Sequence, residues 1–85
     1  YELYQNYPNP FNPSTKIGYS IQREGKVNIT IYNILGQKVR EVINQFVKPG
    51  KYEATFNGAN LASGVYIYRI KTNDFVKSKK MMLLK

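Results

Sequence analysis

Lys16-Ile17-Gly18-Tyr19-Ser20-Ile21-Gln22-Arg23-Glu24-Gly25-Lys26-Val27-Asn28-Ile29-Thr30-Ile31-Tyr32 is the stretch that decides the fold class. In its first half Ile17, Tyr19 and Ile21 alternate with small or polar residues, and in its second half Val27, Ile29 and Ile31 do the same. Alternate side chains of a strand share a face, so each half predicts a strand with one buried face. Arg23-Glu24-Gly25 between them predicts a turn in which Gly25 supplies a positive φ. The two strands therefore read as an adjacent antiparallel pair.

The same punctuation continues downstream. Asn33-Ile34-Leu35-Gly36 turns the chain, and Lys48-Pro49-Gly50 turns it again. Residues 37–47 between these turns are ambiguous. Val39, Val42, Ile43 and Phe46 stand at i, i+3, i+4 and i+7, the spacing of one helix face. Against a helix stand the shortness of the stretch, its β-branched residues and the strands on both sides. The favoured reading is a strand whose alternation is broken by a bulge near Arg40-Glu41.

Residues 51–56 predict a strand with Tyr52, Ala54 and Phe56 on one side. A loop rich in turn formers follows at residues 57–64, with Leu61 tucked beneath it. Val65-Tyr66-Ile67-Tyr68-Arg69-Ile70-Lys71 is apolar on both faces in its first half, as a central strand requires. Thr72-Asn73-Asp74 turns, and residues 75–84 form the last strand. At the other end, Pro8, Pro10 and Pro13 impose an extended, irregular lead-in that reads as a stiff linker. The chain thus divides into a proline-rich lead-in, residues 1–15, and a β domain, residues 16–85. Six or seven short strands spaced by turns predict an all-β, immunoglobulin-like antiparallel β-sandwich. Leu61-Ala62-Ser63-Gly64-Val65-Tyr66 also resembles a tyrosine corner, in which a Tyr hydroxyl ties a strand to the loop before it.

Eighty-five residues make one domain, and a hydrophobic fraction of 42% suffices for its core. There is no cysteine, so neither a disulfide nor a thiolate metal site is available. There is no histidine, which removes the commonest general base and metal ligand. Glu2, Glu24, Glu41, Glu53 and Asp74 are scattered, and no serine has a base beside it. Ser63-Gly64 lacks the upstream glycine of a nucleophile elbow, where Leu61 stands instead. No phosphate-cradling glycine loop occurs. These absences point away from an enzyme, a metal protein or a cofactor protein.

No run of about 18 apolar residues is present, so no membrane insertion is expected. No basic segment followed by an apolar one opens the chain, so no N-terminal export signal is expected within it. The first residue is Tyr, which reads as a cut point inside a longer polypeptide. The net charge is +8, and from Arg69 onward Arg69, Lys71, Lys77, Lys79, Lys80 and Lys85 face Asp74 alone. Such a patch suits an anionic partner, or equally a sheet edge kept soluble by lysines. Tyr66-Ile67-Tyr68-Arg69 imitates a base-stacking platform, but the surrounding Val65, Ile67 and Ile70 favour burial, so no nucleic-acid partner is expected.

Several stretches resemble the type A C-terminal sorting domain of the type IX secretion system. They are Tyr7-Pro8-Asn9-Pro10-Phe11-Asn12-Pro13-Ser14-Thr15, then residues 27–32 with Asn33-Ile34-Leu35-Gly36-Gln37. Next come Leu61-Ala62-Ser63-Gly64-Val65-Tyr66 with Tyr68-Arg69, and last Lys79-Lys80-Met81-Met82-Leu83-Leu84-Lys85. The immunoglobulin-like domain of a flagellar hook-capping protein is similar in pattern. The resemblance implies a non-catalytic domain at the C-terminal side of a covalently linked cargo. It implies outer-membrane secretion machinery and a sortase-like protease as partners, and a secreted or cell-surface destination reached through the periplasm. It also implies where the sorting signal is read: Gly64, Val65 and Tyr66 match one family element, and Lys79, Lys80, Met81, Leu83, Leu84 and Lys85 match the other. The competing class is an immunoglobulin-like spacer or interaction module of a multidomain extracellular protein, binding carbohydrate or protein.

Overall fold

In the computed structural model, which describes residues 1–85, each alternating stretch is a strand and no residue is helical. The strands are β1 (Glu2–Leu3), β2 (Ser14–Ile21), β3 (Gly25–Asn33), β4 (Lys38–Val47), β5 (Gly50–Asn57), β6 (Gly64–Lys71) and β7 (Val76–Leu83). They form a three-stranded sheet, β1-β2-β5, and a four-stranded sheet, β4-β3-β6-β7, with every neighbouring pair antiparallel. β6 is central, as its two apolar faces require.

One sequence expectation is corrected. β2 and β3 are not neighbours: β2 pairs with β1 and β5, whereas β3 pairs with β4 and β6. An amphipathic strand buries its apolar face whether its successor lies beside it or in the opposite sheet, so alternation cannot separate the two arrangements. Residues 22–24 therefore cross between sheets, and Gly25 opens β3 without a positive φ.

Strand β4 resolves the helix-like spacing. Ile29 pairs with Ile43 and Thr30 with Glu41, so Val42 is an extra residue; Ile31 pairs with Arg40 and Tyr32 with Lys38, so Val39 is another. The two irregularities flank Arg40-Glu41, and each resets which side chains face inward. Phe46, the last member of the helix-like spacing, is 65% exposed, whereas its neighbour Val47 is buried. Arg40 takes an inward position, lying 5.2 Å from the Phe56 ring centroid and donating to the Asn57 carbonyl at 2.5 Å. Its guanidinium closes the open side of the sandwich between β4 and β5.

The core joins Ile17, Tyr19 and Ile21 of β2 to Val27, Ile29 and Ile31 of β3, Phe56 of β5, Tyr68 and Ile70 of β6, and Met81 and Leu83 of β7. The proline-rich segment, expected to be extended, instead bends at residues 8–10 and 12–13, and it contributes to this core. Phe11 is 1% exposed and meets Phe56 edge-on with centroids 6.1 Å apart. Its backbone forms a parallel bridge with Leu83 on the outer edge of β7.

Candidate functional site

Strands β6 and β7 bring the two candidate stretches side by side. Gly64 pairs with Leu83, Val65 with Met82 and Tyr66 with Met81, while Lys80 stands opposite Ile67 and Lys79 opposite Tyr68. Residues far apart in sequence thus form one ribbon at the end of the four-stranded sheet. The pleat then divides them. Tyr66, Met81 and Leu83 are buried, and each of the last two side chains is worth about 1.5–3 kcal/mol of burial. Lys80, Leu84 and Lys85 are exposed, Leu84 by 50%; Val65 and Lys79 are half-buried. Met82, outside the expected set, is 39% exposed beside Val65.

The loop before β6 is held by two side chains. The Tyr66 hydroxyl donates to the Ala62 carbonyl at 2.7 Å, which is the expected corner. Lys85 N–H donates to Ser63 Oγ at 3.0 Å, and Lys85 Nζ donates to the Ala59 carbonyl. Gly64 has a φ of +153° and no atom within 4 Å of where a Cβ would stand. Its glycine is a requirement of the backbone, not of a close neighbour.

The lead-in covers part of the β7 edge. Phe11 N–H donates to the Met82 carbonyl at 2.9 Å, and Leu84 N–H to the Phe11 carbonyl at 3.0 Å. The Asn9 side chain accepts from Met82 N–H at 3.0 Å, and the Gln5 amide donates to the Lys80 carbonyl at 2.8 Å. Beneath, Asn6 is buried and donates through Nδ2 to the Pro8 carbonyl and Thr15 Oγ1, at 3.1 and 3.0 Å. The Tyr68 hydroxyl donates to the Tyr4 carbonyl at 2.7 Å and accepts from Asn6 N–H at 2.9 Å. Burial pushes the Tyr68 phenol up to about 12, and the Asn6 N–H acts in the opposite direction. Sequence reasoning missed Asn6, Asn9 and Phe11 as partners of the tail. A large apolar residue between prolines was the available signal, since a solvated linker has no use for one.

The β3–β4 turn stands at this same end of the sheet, because Asn33, from which it departs, pairs with Tyr66. Asn33 Oδ1 accepts from the N–H groups of Leu35 and Gln37, both at 3.0 Å. Asn33 N–H donates to the Gln37 carbonyl and Gly36 N–H to the Asn33 carbonyl, again at 3.0 Å. Gly36 has a φ of +83°, which suits glycine. The turn so built displays Ile34 and Leu35, which are 72% and 78% exposed.

The end of the sandwich opposite this turn carries charge of both signs, Arg23 and Lys26 as well as acids. The acids are Glu24 and Asp74; there Arg23 meets Asp74 at 3.9 Å and Tyr1 stacks on Phe75 with centroids 5.6 Å apart. The outer face of the four-stranded sheet carries Lys26, Lys38, Arg69, Lys71 and Lys80, with Glu41 as its acid. Arg69 stacks on Tyr32 with its guanidinium carbon 4.8 Å from the ring centroid and also donates to the Tyr32 hydroxyl. No group of three His, Cys, Asp or Glu side chains is placed to hold a metal ion. What the ribbon offers chemically is a basic surface with apolar side chains at its end.

Residues 5–84 match the model of the family described as the secretion system C-terminal sorting domain. No curated protein matches the chain.

Proposed function

The chain belongs to the family of secretion system C-terminal sorting domains, and we propose that the machinery reads it at the exposed side chains of the β6–β7 end. The domain is a C-terminal sorting signal for type IX secretion. It serves an upstream cargo and acts with the secretion machinery, and the cargo's destination is the cell surface or the extracellular space. The observation that carries this function is the family match, which spans nearly the whole chain.

The mechanism follows from the chemistry of the surface. An address acts by being bound, so the domain performs no catalysis itself. The route runs through the periplasm, where the folded domain is recognised, and a sortase-like protease removes it after export. Within the ribbon the residues divide by exposure. Gly64, Tyr66, Met81 and Leu83 shape and hold the fold, Val65 and Lys79 lie at its margin, and Lys80, Leu84 and Lys85 present the signal. Lysines steer an anionic partner at long range, and burial of Leu84 adds short-range affinity.

This division predicts different outcomes for two tail variants of a tagged cargo. Deleting residues 79–85 removes Met81 and Leu83 from the core and should unfold the domain, so its loss of export says nothing about recognition. The double substitution Lys80→Ala with Leu84→Ser changes only exposed groups. It should leave the melting temperature within a few degrees of the parent and still reduce export roughly fivefold or more. Full export of that folded variant would remove these side chains from the signal.

A further inference from the structure

We infer that the β3–β4 turn is a second half of the docking surface, with Ile34 and Leu35 entering an apolar pocket bordered by carboxylates on a protein of the secretion machinery. The inference rests on the sorting function above and gives the partner its chemistry.

Three observations carry it. Ile34 and Leu35 are among the most exposed large apolar side chains of the chain, yet they sit on a rigid support. Asn33 spends its backbone N–H, its carbonyl and both polar atoms of its side chain on this one turn, the side-chain amide donating to Gln37 Oε1 at 2.8 Å. A turn needing only to reverse the chain would be served by polar residues at the two tip positions. Exposed apolar side chains held still are ready to bind, since little conformational freedom remains to be lost on docking.

The second observation is position. The register places the turn at the end of the sheet where Val65 faces Met82, and Leu84 follows on β7. Ile34, Leu35, Met82 and Leu84, all substantially exposed, therefore share one end of one sheet. Grouped exposed apolar residues within a polar surround mark an interaction surface, whereas single ones need no explanation. Phe46 is such a single one, 65% exposed at the opposite end, where it pairs with Lys26.

The third is charge. Lys38, Lys80 and Lys85 surround this end, and Glu41, which meets Lys38 at 3.7 Å, is the nearest acid on that face. Glu24 and Asp74 lie at the far end, where Arg23 and Lys26 accompany them. A partner complementary to this surface has an apolar centre and an acidic rim. The far end also holds Tyr1, so the N-terminal side of the chain and the docking surface lie at opposite ends of a molecule 37 Å long.

The test uses the whole chain fused behind a periplasmic reporter in a type IX-competent host, with three forms compared: parent, Ile34→Ser/Leu35→Ser, and Phe46→Ser. Both substituted sites are solvent-exposed, so each variant should melt close to the parent. If the double variant melts lower, the single Leu35→Ser carries the comparison. The expected result is parental export, parental export of Phe46→Ser, and a loss of roughly tenfold or more in Ile34→Ser/Leu35→Ser. Normal export of the folded turn variant overturns the inference and leaves the sorting function standing. Equal loss from Phe46→Ser also overturns it, because any surface apolar group would then suffice. Failure of the parent itself removes the sorting reading and the docking inference together. Sedimentation of the purified chain with phosphatidylethanolamine–phosphatidylglycerol vesicles covers the remaining occupant: binding by the parent that the turn variant loses would assign the surface to lipid and overturn a protein partner.

Discussion

The Tyr68 hydroxyl stands between the Tyr4 carbonyl and the Asn6 N–H, in a position with no solvent exposure. Tyr68→Phe removes the partner of both groups and leaves the Asn6 N–H buried and the Tyr4 carbonyl partly so. It should cost about 2–4 kcal/mol, read as a fall in melting temperature of roughly 10 °C or more. The same residue sets a pH dependence. Its folded pKa is raised to about 12 from an ordinary value near 10, so its contribution is fully present below about pH 10. Between about pH 10 and about 12 the unfolded chain ionises first, and stability falls as pH rises. A titration of denaturant midpoint against pH should therefore be shallower across that window in Tyr68→Phe than in the parent. Equal slopes would mean that Tyr68 ionises alike in both states. At this scale the sequence was partly legible. Tyr66 could be read as a corner residue from the loop before it, and Tyr68 as core from its neighbours. The partners of Tyr68 lie more than sixty residues away, and no local pattern announces them.

Strand β7 is an edge strand with two different halves. Met82 N–H and Leu84 N–H point away from β6 and are taken up by Asn9 and Phe11. By the two-residue period of an antiparallel ladder, the N–H groups of Lys80, Ser78 and Val76 point the same way and have no strand beside them. Amide hydrogen exchange should show slow Met82 and Leu84 and fast Val76, Ser78 and Lys80. Protection throughout would mean a further strand covers the edge. Lysines at 77, 79 and 80 are what keep such an edge from pairing with other chains. The elements also show where pattern reading stops. The β4 spacing of Val39, Val42, Ile43 and Phe46 mimics a helix because two extra residues each shift the alternation by one. The pairing of β2 was missed because a period of two reports a buried face and not the neighbour. The irregular course of the lead-in was legible in its prolines; its place against β7 depends on Phe11 finding Phe56.

The whole molecule is an elongated sandwich, 37 × 23 × 17 Å, whose two ends differ in chemistry. One end gathers Ile34, Leu35, Met82 and Leu84 with Lys38, Lys80 and Lys85; the other holds Tyr1 with Arg23, Glu24, Lys26 and Asp74. The net charge of +8 could be counted in the sequence, and so could the basic tail. Its spread along the sheet, with Lys71 and Lys77 toward one end and Lys80 and Lys85 toward the other, could not, because that depends on the register of β6 against β7. The candidate stretches 64–66 and 79–85 were legible as separate motifs. Their pairing, and the division into buried and exposed members, required the register of β6 against β7. The central claim is that this chain is a self-sufficient address. The most direct test fuses it to the C-terminus of a periplasmic fluorescent protein and compares a type IX-competent host with one lacking the translocon. The account predicts fluorescence at the surface and in the medium of the competent host alone. Retention of the folded fusion in the periplasm of both hosts would contradict it.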